Sequence, residues 1–313
     1  MTEPVRIGII GAGMTGLSCA RTLKDAGHTP VILDKGRGIG GRLATRRADN
    51  GLQFDHGAQY ITAKTEEFQK LIESLMSVDA AGEWDIGERK GFVGVPSMNA
   101  LAKTLASDLD IRRQAQVRSV TETEGRWSLE IDKETLVFDR LIITAPAPQT
   151  MALLGTGHPI SKQITHVSLL PCWTLMAAFD DEVDALPASH RDPDAPLAWI
   201  ASEKTKPGRP DRTAFVAQAS PDWSQDHLEL DKAIVADLML SELCKMLSLD
   251  RSRVIHDNAH RWRYAKVGTP LGEPYLSNAS KTLFLGGDWC LDARVEAAWQ
   301  SGTAIAATLL SEL

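Results

Sequence analysis

VRIGIIGAGMTGLSCARTLKDAGHTPVILD, residues 5–34, is the stretch whose reading decides the fold. Residues 5–10 are an apolar run, read as a buried strand. Residues 15–26 carry Leu17, Ala20 and Leu23 at helical spacing and stop at Gly27, a natural residue just past a helix end. Residues 31–34 return to strand character and end on Asp34. Strand, helix and strand within about 30 residues are one βαβ unit. Between the first two lies Gly11-Ala12-Gly13-Met14-Thr15-Gly16, a G-x-G-x-x-G turn. Gly11 permits the tight turn, Gly13 lets the backbone approach a pyrophosphate, and Gly16 packs helix on strand. The helix N-terminus offers N–H groups and partial positive charge to phosphates. Asp34, about 20 residues on, suits the ribose hydroxyls. This stretch alone leaves NAD and FAD both open.

Two further segments favour FAD. Directly after Asp34 comes Lys35-Gly36-Arg37-Gly38-Ile39-Gly40-Gly41-Arg42, a second glycine-arginine loop that an NAD domain does not need. It would let the chain close over the pyrophosphate, with Arg42 as a charge-assisted donor and Lys35 and Gly41 alongside. Near the other end, Leu285-Gly286-Gly287-Asp288-Trp289-Cys290 precedes a helix opened by Arg294-Val295-Glu296 and continuing through Ala298. Close approach at Gly287, a ribityl contact from Asp288 and a helix N-terminus at Arg294 would hold the flavin half of a long cofactor. A helix dipole at the N1–C2=O edge favours the reduced ring.

Working outward, residues 92–95 read as a strand and Ser97 caps a helix reaching 105. Residues 117–123, 127–131 and 135–138 alternate like a β-meander, and 141–144 is again fully apolar. Residues 173–179, 197–201 and 213–219 read as strands of a larger sheet, joined by loops rich in Pro and Asp. A helix over 228–247, a strand over 254–264, a short buried strand over 282–285 and a helix over 293–310 complete the reading. Short buried strands at both ends with antiparallel structure between them predict an α/β fold. The expected organisation is a discontinuous Rossmann-like FAD-binding domain of residues 1–65, 92–147 and 278–313. Residues 66–91 and 148–277 would form an inserted mixed α/β substrate domain with a largely antiparallel sheet.

Composition narrows the partners. The chain has 313 residues, 43% of them apolar, so it can bury a core. A formal net charge of −7 gives no basic footprint for nucleic acid or an anionic membrane. No apolar run reaches the ~18–20 residues of a spanning helix, and the N-terminal apolar stretch, broken by glycine, does not resemble a signal peptide. Four scattered cysteines (Cys19, Cys172, Cys244, Cys290) fit free thiols of a cytoplasmic protein. No metal site is expected; His256 and His260 would share a strand face as a surface or hydrogen-bonded pair.

The segments GAGMTGLSCARTLKDAGH, DKGRGIGGRLATRR, DHGAQYIT, VGVPSMNALAK, IITAPAPQ, AHRWRYA and GGDWCLDARVEAAWQSG together resemble the renalase group of flavin-dependent oxidases, relatives of the amine oxidases. The first two occur widely in FAD enzymes; DHGAQY, HRWRYA and GDWC with RVEAAW are more specific. The resemblance spans nearly the whole chain. It implies non-covalent FAD in a domain of p-hydroxybenzoate-hydroxylase-like topology. It also implies Gly57, Ala58, Gln59 and Tyr60 beside the flavin ring, Val117 near the adenine, Ala145 beside the nucleotide and Val295 near the flavin pyrimidine. The implied activity is oxidation of 2- and 6-dihydro isomers of NAD(P)H to NAD(P)+, with O2 taking the electrons to give H2O2.

Loss of hydride from a dihydronicotinamide creates an aromatic pyridinium without prior loss of a proton, so no catalytic acid or base is assigned. Aromatic side chains suit the walls of such a site, and Tyr60, Trp173, Trp262 and Tyr264 are the substrate candidates. Arg261 and Arg263 would point the other way and could meet a phosphate. Amine oxidases commonly set a lysine near flavin N5 at the first strand of the substrate domain. Residues 170–175 (LPCWTL) contain none, and the nearest before them is Lys162. An amine oxidase, a non-catalytic flavoprotein and an NAD-dependent dehydrogenase stay open as alternatives.

Overall fold

The computed structural model describes residues 4–86, 90–132, 134–180 and 188–313. They fall into two compact units, one of residues 1–41, 102–168 and 267–313, the other of residues 42–101 and 169–266.

The first unit is built on a six-stranded sheet. Its spatial order is Leu276–Ser277, Leu283–Leu285, Arg140–Ile143, Ile7–Ile10, Val31–Asp34 and Asp110–Arg113. Every neighbouring pair is parallel except Leu276–Ser277 on Leu283–Leu285. Helices cover such sheets on both faces, which is why the inner strands are short runs of Ile, Leu and Phe rather than alternating patterns. Ile7–Ile10 and Leu283–Leu285 are buried throughout. The fingerprint helix Met14–Asp25 meets the last helix Val295–Leu310, where the Ser18 hydroxyl donates to the Trp299 carbonyl at 3.4 Å. The expected meander is present as Val117–Thr123, Arg126–Ile131 and Glu134–Phe138, joined antiparallel. Trp127 and Phe138 are buried there.

The second unit carries a five-stranded sheet ordered Ser189–Arg191, Leu197–Ser202, Ala214–Ala219, Ser168–Phe179 and Val254–Thr269. Side chains alternate across it. Trp173, Leu175 and Ala177 face the helix Lys232–Leu247 through Val235, Met239 and Leu243. Met176 and Ala178 face the opposite way, onto Leu52 and Phe54. Those two residues come from a hairpin, Thr45–Arg47 with Gln53–Asp55.

That hairpin moves the expected domain boundary. The expected division grouped 1–65 with 92–147, yet 42–65 and 92–101 cluster with the antiparallel sheet. Phe54 is part of that sheet's core, and the Asp55 carboxylate accepts the Met98 N–H at 3.0 Å. Conversely, 148–168 and 267–277 join the first unit, where the Leu271 N–H donates to the Trp289 carbonyl at 3.0 Å. The helix Glu66–Met76, capped by the Thr65 side chain on the Phe68 N–H, and the strand Ala81–Asp85 are elements the sequence reading did not anticipate.

Candidate functional site

In the first unit the G-x-G-x-x-G turn ends at Gly13, the N-cap of Met14–Asp25, and no side chain caps that helix. A Cβ on Gly16 would collide with the Gly11 carbonyl, so only glycine lets the helix start this close to the strand. At Gly13 the opposite holds: nothing lies within 4 Å of where a Cβ would stand. Uncapped amides facing open space beside a bare backbone are what a pyrophosphate requires.

Asp34 joins this turn to the second glycine loop. One carboxylate oxygen accepts the Ala12 N–H at 2.7 Å and the other the Gly36 N–H at 2.6 Å. The loop then folds back, the Gly40 N–H donating to the Ala12 carbonyl at 2.8 Å, and Gly41 comes up against Gly13. An ionised carboxylate has about four acceptor positions, so two amides leave room for a sugar hydroxyl. Lys35 stands outside, its ammonium on the Gln149 side chain at 3.2 Å.

The C-terminal segment reaches the same place. A Cβ on Gly286 would lie 3.5 Å from the Thr15 side chain, and the Gly287 N–H donates to the Ser301 hydroxyl at 3.0 Å. Ala145 is brought in by its carbonyl, which accepts the Trp289 indole N–H at 3.1 Å. Asp288 is buried and accepts the Trp289 N–H at 2.9 Å. Val295 and Ala298 lie in the first turn of the last helix, and Val117 opens the meander as a buried residue. Arg294 corrects its expected role: its guanidinium holds Asp292 at 2.7 Å and the buried Glu296 at 2.8 Å. Its side chain is held by the two acids that flank it, and the helix start has no side-chain cap. Cys290 is buried beside Ser301, and burial pushes its thiol up to about 12.

The second unit holds the DHGAQY segment. A Cβ on Gly57 would strike the Arg42 carbonyl, and the Ala58 N–H donates to that same carbonyl at 2.8 Å. The Arg42 guanidinium bonds the Ala265 carbonyl at 3.0 Å. Gln59 is buried with its amide turned inward, donating to the carbonyls of Asp55 at 2.5 Å and Gly57 at 3.1 Å. Its expected contribution therefore falls to its backbone. Tyr60 is half-buried, its ring 5.4 Å from Trp199.

Along Val254–Thr269, every second residue faces the hairpin. His256 stacks on Phe54 at 5.2 Å, Asn258 accepts from Arg46 at 3.1 Å, and His260 meets His56 edge-on at 5.0 Å. Trp262 stacks on His56 at 5.3 Å and donates its indole N–H to the His56 carbonyl at 2.8 Å. Tyr264 continues the face, half-buried. Burial first, then His260 and Arg46, push His56 down to about 4; burial, Arg46 and Lys232 do the same to His260. Both imidazoles are neutral near pH 7. Arg261 and Arg263, on the other face, are tied to Glu229 at 3.2 and 2.7 Å and are not free for a phosphate. Trp173 is a second correction: it is fully buried in the sheet core, with Arg261 over its ring, and lines nothing.

One cluster had no signal in the sequence. Asp55, Glu203, Lys206 and Arg209 are all buried in the second unit and paired with one another. Burial favours a neutral Asp55, but Lys206 and Arg209 beside it hold its pKa below the ordinary range. For Glu203 burial prevails and its pKa is raised. Among the described residues, no group of three or more His, Cys, Asp or Glu side chains could hold a metal ion, and no helix is long and apolar enough to cross a membrane.

Comparison with known proteins agrees with this geometry. Residues 9–75 match the NAD(P)-binding Rossmann-like domain model, and residues 71–310 match the flavin containing amine oxidoreductase model. The 15-cis-phytoene desaturase of Synechococcus elongatus is 42% identical over 71 residues, which are 23% of this chain and 15% of that protein. This chain thus spans a small part of the curated relative it matches. A protein of Exiguobacterium sp. 255-15, provisionally assigned as a protoporphyrinogen oxidase, shares the fold over 100% of both chains, with a TM-score of 0.80 at 15% identity. Cyclohexylamine oxidase from Brevibacterium oxydans IH-35A does so over 99% of both, with a TM-score of 0.74 at 12% identity. The family match covers most of the chain, and the cradle around Gly13 and Asp34 fits FAD: the chain belongs to the flavin containing amine oxidoreductases.

Proposed function

We infer that this chain is a renalase-like oxidase that converts 2- and 6-dihydro isomers of NAD(P)H to NAD(P)+, with O2 as the final acceptor and H2O2 as product. Non-covalent FAD, when bound, supplies the hydride-accepting ring. Gly11, Gly13, Gly16, Asp34 and Gly41 would hold its nucleotide half; Gly287, Asp288, Val295 and the turn 57–60 would serve the flavin half. The chain's own part is to stack a flat dihydropyridine, keep water away and present no group that must take a proton.

The observation that carries this reading is the character of the His56, His260, Trp262 and Tyr264 face. Its imidazoles are neutral, with pKa values near 4, and Arg46 stands beside them. Such a face carries no negative charge of its own, and Arg46 adds a positive one. An ammonium substrate calls for an unmatched carboxylate, yet Asp55 and Glu203, the buried acids of this unit among the described residues, are already matched by Arg209 and Lys206. A neutral ring on an anionic dinucleotide suits this face better.

The test mixes the purified holoprotein anaerobically with borohydride-reduced NAD+, which contains all three dihydro isomers. Fast bleaching of the flavin by the 2- or 6-isomer, and not by the 4-isomer, supports the assignment. Bleaching by primary amines or polyamines instead transfers it to an amine oxidase, the activity that the family also contains by name.

A further inference from the structure

We propose that Lys206 is a positioning residue: through Gln59 it fixes the turn 57–60 in the one conformation that serves the flavin. This rests on the reading that 57–60 flanks the ring.

Lys206 is 2% exposed and its ammonium lies inside the cluster described above. Arg209, not Lys206, makes the close contact with Asp55. The Asp55 carboxylate already takes two donors from the Arg209 guanidinium, whose remaining nitrogen donates to the carbonyls of Gly94 and Pro207. Lys206 stands 3.9 Å from Asp55. Its close partners are Glu203 at 2.5 Å and the side-chain carbonyl of Gln59 at 3.3 Å, with the Trp84 ring 5.3 Å away.

An ammonium can only donate, and a primary amide has one donating end and one accepting end. Lys206 therefore forces the Gln59 oxygen toward itself and the Gln59 NH2 toward the Asp55 and Gly57 carbonyls. The Gly57 carbonyl also accepts from Gln218 at 2.8 Å, and the Ala58 N–H is held by the Arg42 carbonyl at 2.8 Å. Glu203 completes the chain, its second oxygen taking the Asp55 N–H at 3.0 Å. The peptide planes of the turn are thus oriented by a sequence of one-way hydrogen bonds that begins at Lys206. Without that donor the buried Gln59 oxygen is left unpaired, which loosens the amide and with it the bond it gives to the Gly57 carbonyl.

The experiment compares Lys206→Met, Gln59→Leu and the double variant as purified holoproteins. The readouts are the visible absorption bands of the bound flavin, its midpoint potential and its retention on dilution. Both single variants are expected to shift the bands and the potential in the same direction and to weaken FAD retention about tenfold, the scale of one hydrogen bond to a charged group. The double variant is expected to match either single one, because both break the same chain. An unshifted spectrum and potential in Gln59→Leu, or effects that simply add, overturn the proposal. If Lys206→Met does not fold, Gln59→Leu decides alone by the same criterion. Ala58→Leu separates the two ways of failing. If it shifts the flavin bands while Gln59→Leu does not, the turn flanks the ring and only the role of Lys206 is lost; if neither does, the placement of 57–60 falls with it.

Discussion

The indole N–H of Trp262 and the carbonyl of His56 are 2.8 Å apart, and the two rings stack at 5.3 Å. One side chain therefore fixes both the backbone before Gly57 and the plane of the imidazole. Trp262→Phe keeps a ring but removes the donor, and is expected to cost about 1 kcal/mol. Trp262→Ala removes the stack as well and should cost about 2–3 kcal/mol, below the range for a fully buried tryptophan. Denaturant midpoints measure both. If the proposed substrate face is right, Trp262→Ala also lowers kcat/KM for the dihydro isomers at least tenfold, while Trp262→Phe stays near the parent.

Gly13→Ala and Gly16→Ala are expected to fail in different ways. The first methyl meets no protein atom, so the protein folds with its melting temperature unchanged when measured without FAD, but the methyl stands where the pyrophosphate must pass. The product should be a soluble, colourless protein. The second methyl strikes the Gly11 carbonyl, and helix and strand must separate to admit it. Its product should be destabilised whether or not FAD is supplied.

Asp34→Ala unties the two glycine loops as well as removing the ribose acceptor. Two backbone amides lose a charged partner, each bond worth about 1.5–3 kcal/mol. FAD should dissociate at least a hundredfold more readily, seen as loss of yellow colour on gel filtration.

How much of this was legible in the sequence depended on the range of the interactions. The strands 7–10, 31–34, 140–143 and 283–285 declare themselves because a doubly covered strand must be apolar at every position. The cradle was legible because its glycines answer to local geometry. The hairpin of Thr45–Arg47 and Gln53–Asp55 was not. Its polar residues look solvent-facing, yet Asp55 is buried by partners at Lys206 and Arg209, some 150 residues away along the chain. Trp173 misled for the reverse reason: sequence cannot say that an aromatic suited to a pocket wall spends its ring on a sheet core and Arg261. Arg294 looked like a ligand because its salt bridges run to immediate neighbours, Asp292 and Glu296, which any exposed turn could also contain.

Stability should fall as the solution is acidified from about pH 6.5 to about pH 4. Over that window an unfolded chain protonates its histidines at the ordinary value of 6.5, whereas folded His56 and His260 wait until about 4. The unfolded state binds more protons, so stability rises with pH there and is fully present above 6.5. His56 contributes at most about 3 kcal/mol, the partly exposed His260 less. Asp55, held below its ordinary range beside Lys206 and Arg209, acts in the same sense at lower pH, and the raised Glu203 opposes it. Urea midpoints at pH 7, 5.5 and 4.5 should show the decline, and His56→Phe with His260→Phe should flatten it.

The order of strands in the first unit has a consequence for biosynthesis. The strand Ile7–Ile10, made first, has Arg140–Ile143 as its neighbour on one side, and that strand in turn awaits Leu283–Leu285. During translation an apolar edge with unpaired amides therefore stays open from the making of Arg140–Ile143 until that of Leu283–Leu285, the situation in which nascent chains stick to one another. A ribosome that stalls between residues 143 and 283 leaves a half-sheet bearing every element of the nucleotide turn and no means of closing it.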